Sequence, residues 1–220
     1  MNIIEVKSLT KNFKEKNLFN DFDLEVETNT IHAIIGPNGS GKTSLLRNLT
    51  GLYNKDSGEV IVKGKYAMLL ENDYLYEDKT GIENIRIYGL YFGYELKNYE
   101  KYSDLLEITK DLTRNVSTYS KGMKRKLSLL IIVMMNREIL FLDEATSGVD
   151  PISRVEIRKL IKVLKTEGKT IVITSHDLDE IEKVADRVSM LKNGKLLFTK
   201  NITEIGGESL EELFIEEGIK

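Results

Sequence analysis

The sequence has no cysteine and only two histidines among its 220 residues. Without cysteine the chain can form neither disulfides nor thiolate metal sites, and two histidines disfavour a multi-histidine metal site. Long apolar runs are also missing. The longest, residues 127–135 with Ser128 inside it, falls far short of the ~20 residues that a membrane-spanning helix needs.

Two further features that the sequence lacks are a signal peptide and a strong net charge. The first 17 residues carry charge within five positions of the start and develop no apolar segment. The net charge of −3 argues against a chain built mainly to coat nucleic acid, and no nucleic acid partner is expected. We therefore expect a cytoplasmic protein. If it acts at a membrane, another chain must supply the membrane spans.

What is present begins with a glycine-rich loop at residues 36–43, GPNGSGKT, which matches the phosphate-binding pattern G-x-x-x-x-G-K-[ST]. The apolar run 31–35 before it predicts a buried strand, and residues 44–49 predict the start of a helix. An ordinary glycine-rich turn is the alternative, but it would not explain the strand, the lysine and the threonine together. We expect Lys42 to reach the β- and γ-phosphates and the Thr43 hydroxyl to bind Mg²⁺. The predicted nucleotide-binding residues of the loop are Gly36, Pro37, Asn38, Gly39, Ser40, Gly41, Lys42, Thr43 and Ser44.

The remaining pattern alternates short apolar segments with helical ones. Residues 10–14 form a predicted polar turn, and Asn193-Gly194 predicts a terminal hairpin. Pro151 is expected at the first turn of a helix that ends near Thr166. Further helices are predicted at 177–185 and in the acidic tail, 208–220. The predicted strands are 2–8, 22–27, 31–35, 59–63, 66–70, 139–142, 170–174, 188–191 and 195–198.

A helical insertion is predicted between about residues 81 and 136, where the apolar spacing becomes that of helices. Three helices are indicated, around residues 82–92, 105–108 and 127–134. Tyrosine is dense in this block, and most of these side chains are expected to pack, with a few facing a partner.

Carboxylates follow another predicted buried strand, 139–142, as Asp143 and Glu144. In a parallel sheet ligands bind at the carboxyl ends of the strands. Asp143 could hold Mg²⁺ through Thr43 and water, and Glu144 could act as the general base for water that attacks the γ-phosphate. Alternatively, these two carboxylates could simply cap the start of a helix after the strand. The phosphate loop upstream makes that interpretation the weaker one.

For two other sites the residue pattern alone allows more than one role. His176, at the end of strand 170–174, could hydrogen-bond the γ-phosphate or be an ordinary surface or core histidine. Ser120 and Gly122 precede a predicted helix and could form an anion site, although a simply capped helix start explains them as well.

Four motifs in this order resemble the nucleotide-binding subunits of ATP-binding cassette (ABC) transporters, and the resemblance covers roughly residues 2–200. It implies an α/β P-loop NTPase fold with a RecA-like core, an N-terminal antiparallel β-subdomain and an inserted α-helical subdomain at about 72–136. The whole chain, 1–220, would be one such domain with a short tail at about 200–220. The motifs are GPNGSGKT at 36–43, YSKGMKRKLSL at 119–129, ILFLDEATSGVD at 139–150 and TSHDLDEIE at 174–182.

The resemblance also implies roles for single residues. Phe13 matches the aromatic that stacks on adenine, and His176 matches the γ-phosphate switch. Ser120 and Gly122 match the signature that contacts ATP bound to the opposite subunit. Further matches are Asp143 as the Mg²⁺-linked aspartate, Glu144 as the catalytic base, Lys42 on the phosphates, and Ser147, Gly148 and Asp150 in the loop that links the two subunits' sites.

Two residues depart from the family's pattern. Glu71 stands where the family usually has glutamine; a carboxylate there can still approach Mg²⁺ or water, but it brings negative charge near the phosphates. Lys121 replaces the first glycine of the usual signature, as in related subfamilies with an SKGM signature. Both changes bear on the rate more than on the activity.

The function that the resemblance implies is an ATP-hydrolysing subunit that powers an ABC transporter, resembling the ABC-2-type export subfamily. ATP and Mg²⁺ are the implied cofactors. The implied partners are an integral membrane subunit, contacted through the helical subdomain, and a second ABC ATPase subunit, identical or not. The subunit would sit peripherally on the cytoplasmic face of the cell membrane. The alternatives are a soluble ABC ATPase acting on ribosomes or DNA, a weakly hydrolysing regulatory subunit, and a nucleotide kinase.

Overall fold

Nine strands, seven α-helices and three short 3-10 helices are found in the computed structural model, which describes residues 1–13, 16–205 and 209–219. The strands, β1 to β9, are Asn2–Phe13, Lys16–Glu27, Ile31–Ile35, Ser57–Val62, Tyr66–Leu69, Ile139–Asp143, Thr170–Ser175, Arg187–Lys192 and Lys195–Asn201. The helices, α1 to α7, are Lys42–Leu49, Gly81–Phe92, Tyr99–Leu105, Lys121–Met134, Pro151–Thr166, Leu178–Val184 and Leu210–Ile219.

The strands form two sheets. β2, β1 and β4 make an antiparallel sheet of three strands. The second sheet has the order β5-β6-β7-β3-β8-β9 and is parallel except for β9, which pairs antiparallel with β8. Its central strands β3, β6 and β7 are buried along their whole length, as expected for parallel strands covered on both faces. The predicted α/β architecture is confirmed.

The order of the parallel strands positions the site. β3, β7 and β6 are neighbours in the sheet, so their carboxyl ends lie side by side at one edge. The chain leaves these ends through the glycine-rich loop, through His176, and through Glu144. Three segments that are far apart in sequence therefore meet where ligands bind to parallel sheets.

Helices α2, α3 and α4 are inserted between β5 and β6. Thr80 caps α2 in a capping box with Glu83, and Ser120 caps α4 by accepting from the amide of Met123 at 3.2 Å. α4 is buried along nearly all of its length and packs against α2, α3 and α5. It therefore ties the inserted helices to the core. Across the described residues, no helix is both long enough and apolar enough to cross a membrane.

The predicted polar turn at residues 10–14 is wrong where the structure describes it. β1 continues through Phe13, and Lys11 and Asn12 pair with β2. The carboxylate of Asp56 holds both residues from another part of the chain, accepting from the Asn12 amide at 2.6 Å and from Lys11 Nζ at 3.1 Å. The polar residues at 10–14 by themselves could not indicate a partner so far away in the sequence. Lys14 lies outside the described residues.

Most other elements agree with the sequence pattern, with two exceptions. β2 begins at Lys16 rather than near residue 22, and the helix expected around 105–108 is wrong. α3 ends at Leu105, because Glu107 has a left-handed backbone conformation, φ +52°, that stops the helix.

Asn193 and Gly194 have φ values of +49° and +73° between β8 and β9, the conformation that a two-residue hairpin turn requires. Leu210 and Leu213 of α7 are buried, so the tail helix lies on the core as expected. Glu208 and Lys220 of the predicted tail lie outside the described residues.

Candidate functional site

The glycine-rich loop joins β3 to α1 and brings main-chain groups together at the start of that helix. A Cβ built on Gly36, whose φ is +155°, would lie 2.1 Å from the Leu191 carbonyl oxygen, so only glycine fits there. Lys42 Nζ folds back and donates to the Gly36 carbonyl at 2.7 Å. Burial lowers the pKa of Lys42, and the nearby carboxylates of Glu144 and Asp143 oppose that shift. The loop thus presents amide groups and a cation, which together suit phosphate.

A cleft of about 520 Å³, hereafter the nucleotide cleft, opens above this loop. Residues from the β1–β2 hairpin, the loop, the end of β5 and the ends of β6 and β7 converge on it. Most of the sequence-predicted site residues are among them. The lining residues are Phe13, Leu18, Asn38, Gly39, Gly41, Lys42, Thr43, Ser44, Glu71, Glu144, Ser147 and His176.

Asp143 lies beneath the cleft rather than on its wall. Its side chain is only 1% exposed, and its Oδ1 accepts from the Thr43 hydroxyl at 3.1 Å and from the Thr174 hydroxyl at 2.6 Å. Its Oδ2 is buried and has no hydrogen-bond partner among the residues that the structure describes. A buried carboxylate oxygen with no donor is the kind of group that a cation or its bound water satisfies, so these residues fit Mg²⁺.

Glu144 and His176 contact each other at the cleft. Glu144 Oε2 lies 2.9 Å from His176 Nδ1. Glu144 has a left-handed backbone conformation, φ +50°, which its amide stabilises by donating to the Thr174 hydroxyl at 3.1 Å. Such conformations are unfavourable for residues other than glycine and occur often at functional sites. The Glu144 side chain is mostly buried, while the imidazole of His176 is largely exposed.

Phe13 lies at the rim of the cleft and is 39% exposed. The edge of its ring meets Tyr53, with centroids 5.2 Å apart and an interplanar angle of 70°. Lys11 Nζ lies 5.0 Å from the Phe13 ring centroid. The ring is thus held in place by two neighbours while part of its surface stays available for stacking.

Ser120 and Gly122 do not reach the nucleotide cleft of their own chain. They start α4, where Gly122 packs against the start of α5. A Cβ on Gly122 would lie 2.8 Å from Asp150 Oδ2 and 2.9 Å from Ser153 Oγ. The Lys121 side chain lies over Gly148. A Cβ built on Gly148 would fall 2.2 Å from Lys121 Nζ. The loop at 147–150 and the signature segment (residues 119–129) therefore form one packed unit.

Comparison with known proteins decides the family. The profile of the family described as "ABC transporter" matches residues 19–147. The lantibiotic transport ATP-binding protein SrtF of Streptococcus pyogenes is 31% identical over 96% of both chains. The bacitracin transport ATP-binding protein BcrA of Enterococcus faecalis is 33% identical over 92% of this chain and 70% of its own. The chain belongs to the ABC transporter family.

Solved structures agree with the fold. An ATP-binding subunit of an ABC transporter superimposes with a TM-score of 0.88 over 98% of this chain and 99% of its own, at 24% identity. Membership of the ABC transporter family makes this chain an ATP-binding subunit with ATPase activity that powers a transporter. The expected family, fold and enzyme class are thereby confirmed.

The structure also adds residues to the ABC site that the sequence pattern did not single out. Leu18 lines the cleft from β2, and the Thr174 hydroxyl joins Asp143 to the Glu144 amide. Thr174 stands at a strand end beside the phosphate loop, a position that could have marked it. Arg125 lies inside α4 and contacts the carbonyls behind the site, and nothing in the local sequence distinguishes it from its basic neighbours.

Proposed function

We propose that this ABC subunit hydrolyses ATP as a head-to-tail dimer, in which the signature segment of each copy contacts ATP held by the other. The contact between Glu144 and His176 in a cleft that also contains Lys42 and Thr43 carries this proposal. The position of Ser120 and Gly122 outside that cleft supports their acting on the partner's nucleotide. A nucleotide-bound pair of subunits would thus contain two complete sites.

Each residue of the cleft has a proposed role. The loop amides and Lys42 bind the phosphates, and Phe13 stacks on the adenine ring. Glu144 accepts a proton from the attacking water, and His176 orients Glu144 and contacts the γ-phosphate. Glu144 and His176 already contact each other, whereas Lys42 Nζ, which donates to the Gly36 carbonyl, would turn from it toward the phosphates.

Mg²⁺ is the proposed metal, held by the Thr43 hydroxyl and, through water, by Asp143. When bound it would neutralise charge on the β- and γ-phosphate oxygens. Glu71 lines the same cleft and offers a second carboxylate on this side.

The test of the dimer and of the base is Glu144→Gln. We expect hydrolysis to fall by about 10²- to 10⁴-fold, while ATP binding persists and Mg-ATP stabilises the dimer in size-exclusion chromatography. Glu167→Gln, which alters a surface carboxylate paired with Lys101, is the matched control. Hydrolysis by Glu144→Gln at the wild-type rate would refute the base assignment.

The membrane partner is proposed to dock in a second cavity, the apolar groove, of about 400 Å³ between β5, α2 and α4. Its lining includes Leu52, Tyr74, Tyr88, Phe92 and Ile131, and within the described part of the chain none of the lining side chains is charged. An uncharged, apolar side chain from a cytoplasmic helix of an integral membrane subunit suits such a groove. Residues 72–136 would then act as the helical subdomain that passes motion to that subunit. The chain would sit peripherally on the cytoplasmic face of the membrane.

This docking can be tested by purifying tagged Glu144→Gln from gently solubilised membranes of its source cell with Mg-ATP. We expect a polytopic membrane protein to co-purify and to be lost with Leu52→Glu, which puts a charge on the groove. Ile215→Glu, a similarly exposed position on α7, is the control. Recovery of ribosomal or DNA-bound partners alone would favour the soluble ATPase alternative.

The cargo class that we propose is a peptide or drug moved out of the cell. The relatives named for lantibiotic transport, bacitracin transport and daunorubicin resistance support it. A strain that produces Glu144→Gln in place of the native chain should become more sensitive to such a compound. Unchanged sensitivity to lantibiotics, bacitracin and anthracyclines would argue against this class.

A further inference from the structure

Arg125 is a buried cation in the middle of the molecule. It lies on α4, five residues after Ser120, and is 3% exposed. Its guanidinium makes six hydrogen bonds. Nε donates to the Ala145 carbonyl at 3.0 Å, Nη2 to the carbonyls of Asp143 at 2.6 Å and Glu144 at 2.9 Å, and Nη1 to the carbonyls of Leu70 at 2.6 Å and Glu71 at 3.3 Å and to Asp73 Oδ1 at 3.1 Å.

The acceptors fall into two short segments. One is 143–145, where the chain leaves β6, and the other is 70–73, where it leaves β5. Each segment carries a carboxylate that lines the nucleotide cleft, Glu144 in the first and Glu71 in the second. Arg125 is therefore a direct bridge between α4 and the main chain that carries both carboxylates.

Only arginine can make this bridge. Its planar guanidinium has five N–H donors in a fixed fork, whereas lysine has three donors around one nitrogen. The two segments lie on different sides of the fork, so one ammonium group cannot reach both sets of carbonyls. Asp73, which is 13% exposed at its side chain, supplies the charge that a buried guanidinium needs.

We propose that Arg125 is a positioning residue that couples α4 to the two carboxylates of the nucleotide cleft. A displacement at the start of α4, where Ser120 and Gly122 lie, is transmitted through the guanidinium to segments 70–73 and 143–145 together. The inference rests on the proposed function of Glu144 as base. It adds a physical connection by which the signature segment of a chain sets the geometry of its own hydrolytic site.

The test compares Arg125→Lys with Arg114→Lys, a surface arginine of the same inserted block that pairs with Asp111. We expect Arg125→Lys to lower kcat by about tenfold to 10²-fold, since small displacements of catalytic groups have effects of that size. The KM for ATP should stay within about threefold, because the phosphate loop is untouched. Arg114→Lys should match the wild type. A wild-type kcat for Arg125→Lys would overturn the proposal.

The double variant Arg125→Lys with Glu144→Gln distinguishes a positioning role of Arg125 from a general loss of structure. If Arg125 acts through Glu144, Arg125→Lys should alter the residual single-turnover rate of Glu144→Gln by less than about threefold, because no base remains to be positioned. A merely structural role predicts the same loss in both backgrounds, and that result would overturn the proposal. If Arg125→Lys fails to fold, as judged by thermal unfolding, Arg125→Gln takes its place.

Hydrogen exchange provides a readout that does not depend on hydrolysis. Peptides covering 70–75 and 143–147 should both exchange about fivefold faster in Arg125→Lys, with β7 unchanged. Unchanged exchange in either segment would refute the bridge. If the wild-type chain hydrolysed no ATP, the proposed function would fail, but faster exchange in both segments would still support the coupling by Arg125.

Discussion

His176 Nδ1 and Glu144 Oε2 lie 2.9 Å apart, joining the ends of β7 and β6. An ionised carboxylate only accepts hydrogen bonds, so Nδ1 carries the hydrogen of this contact. We expect His176→Ala to lower kcat by about 10²-fold or more, because Glu144 loses its orienting partner and the γ-phosphate loses a contact. The KM for ATP should change little. Steady-state hydrolysis at several ATP concentrations measures both, and a wild-type kcat would contradict the assignment.

Thr174 should set the strength of the proposed Mg²⁺ site. Thr174→Val removes the hydroxyl that donates to Asp143 and accepts from the Glu144 amide, while keeping the shape of the side chain. Loss of a partner behind a metal ligand typically lowers affinity or activity by about 10- to 100-fold. We expect a higher Mg²⁺ concentration for half-maximal hydrolysis.

Thr170→Val is the matched control for this prediction. Thr170 is equally buried and lies at the other end of β7, where its hydroxyl accepts from the Asn29 amide. Its Mg²⁺ titration should follow that of the wild type. Equal shifts in both variants would mean that Thr174 acts only on the stability of the strand.

Lys126 of α4 and Glu156 of α5 form a buried ion pair, with side chains 8% and 4% exposed. Lys126→Met leaves the Glu156 carboxylate buried without its partner, which we expect to lower the free energy of unfolding by about 3–5 kcal/mol. Adding Glu156→Leu should recover most of that loss. Urea unfolding measures both variants.

An exposed ion pair provides the comparison. Lys101→Met removes the cationic partner of Glu167 at the surface, while the Tyr102 hydroxyl still donates to that carboxylate. It should change the free energy of unfolding by less than about 1 kcal/mol. If Lys126→Met cost no more than Lys101→Met, the buried pair would not hold α4 against α5.

His32 should make the stability of the fold depend on pH. Burial, helped by the charge of Arg187, lowers the pKa of His32 from about 6.5 to about 3. In the unfolded chain His32 therefore binds a proton below about pH 6.5. In the folded chain it binds one only below about pH 3. Stability must fall as the pH drops through this window, by at most about 1.4 kcal/mol per pH unit from this group.

Replacing the imidazole tests this dependence. Between pH 6.5 and 5 the free energy of unfolding of His32→Gln should fall by about 1.6 kcal/mol less than that of the wild type. Urea titrations at the two pH values measure the difference. Identical pH slopes for the two chains would show that His32 is not the group responsible.

Most of the fold follows from local pattern. The apolar run 31–35, the glycine-rich loop and the helix after it form one continuous unit, so short-range periodicity and turn chemistry predict them. The β8–β9 hairpin follows from Asn193-Gly194 in the same way. The turn expected at 10–14 failed because Asp56, more than forty residues away, holds Lys11 and Asn12 in the strand.

The candidate site, like the fold, has features that local pattern predicts and features that it does not. The residue types themselves, Lys42, Thr43, Asp143, Glu144 and His176, were visible as motifs, because each stands at the end of an apolar strand or in a glycine loop. Their roles remain predictions, as does the division of the chain into subdomains.

The sequence by itself determined the family, the residue types at each strand end and the order of the elements. Each of these follows from contiguous stretches of residues. Only the tertiary structure decided which side chains touch. The contact of His176 with Glu144, the burial of Asp143 beneath Thr43 and the bridge made by Arg125 join residues 18 to 100 positions apart. Such contacts depend on strand order and helix packing, which no local pattern encodes.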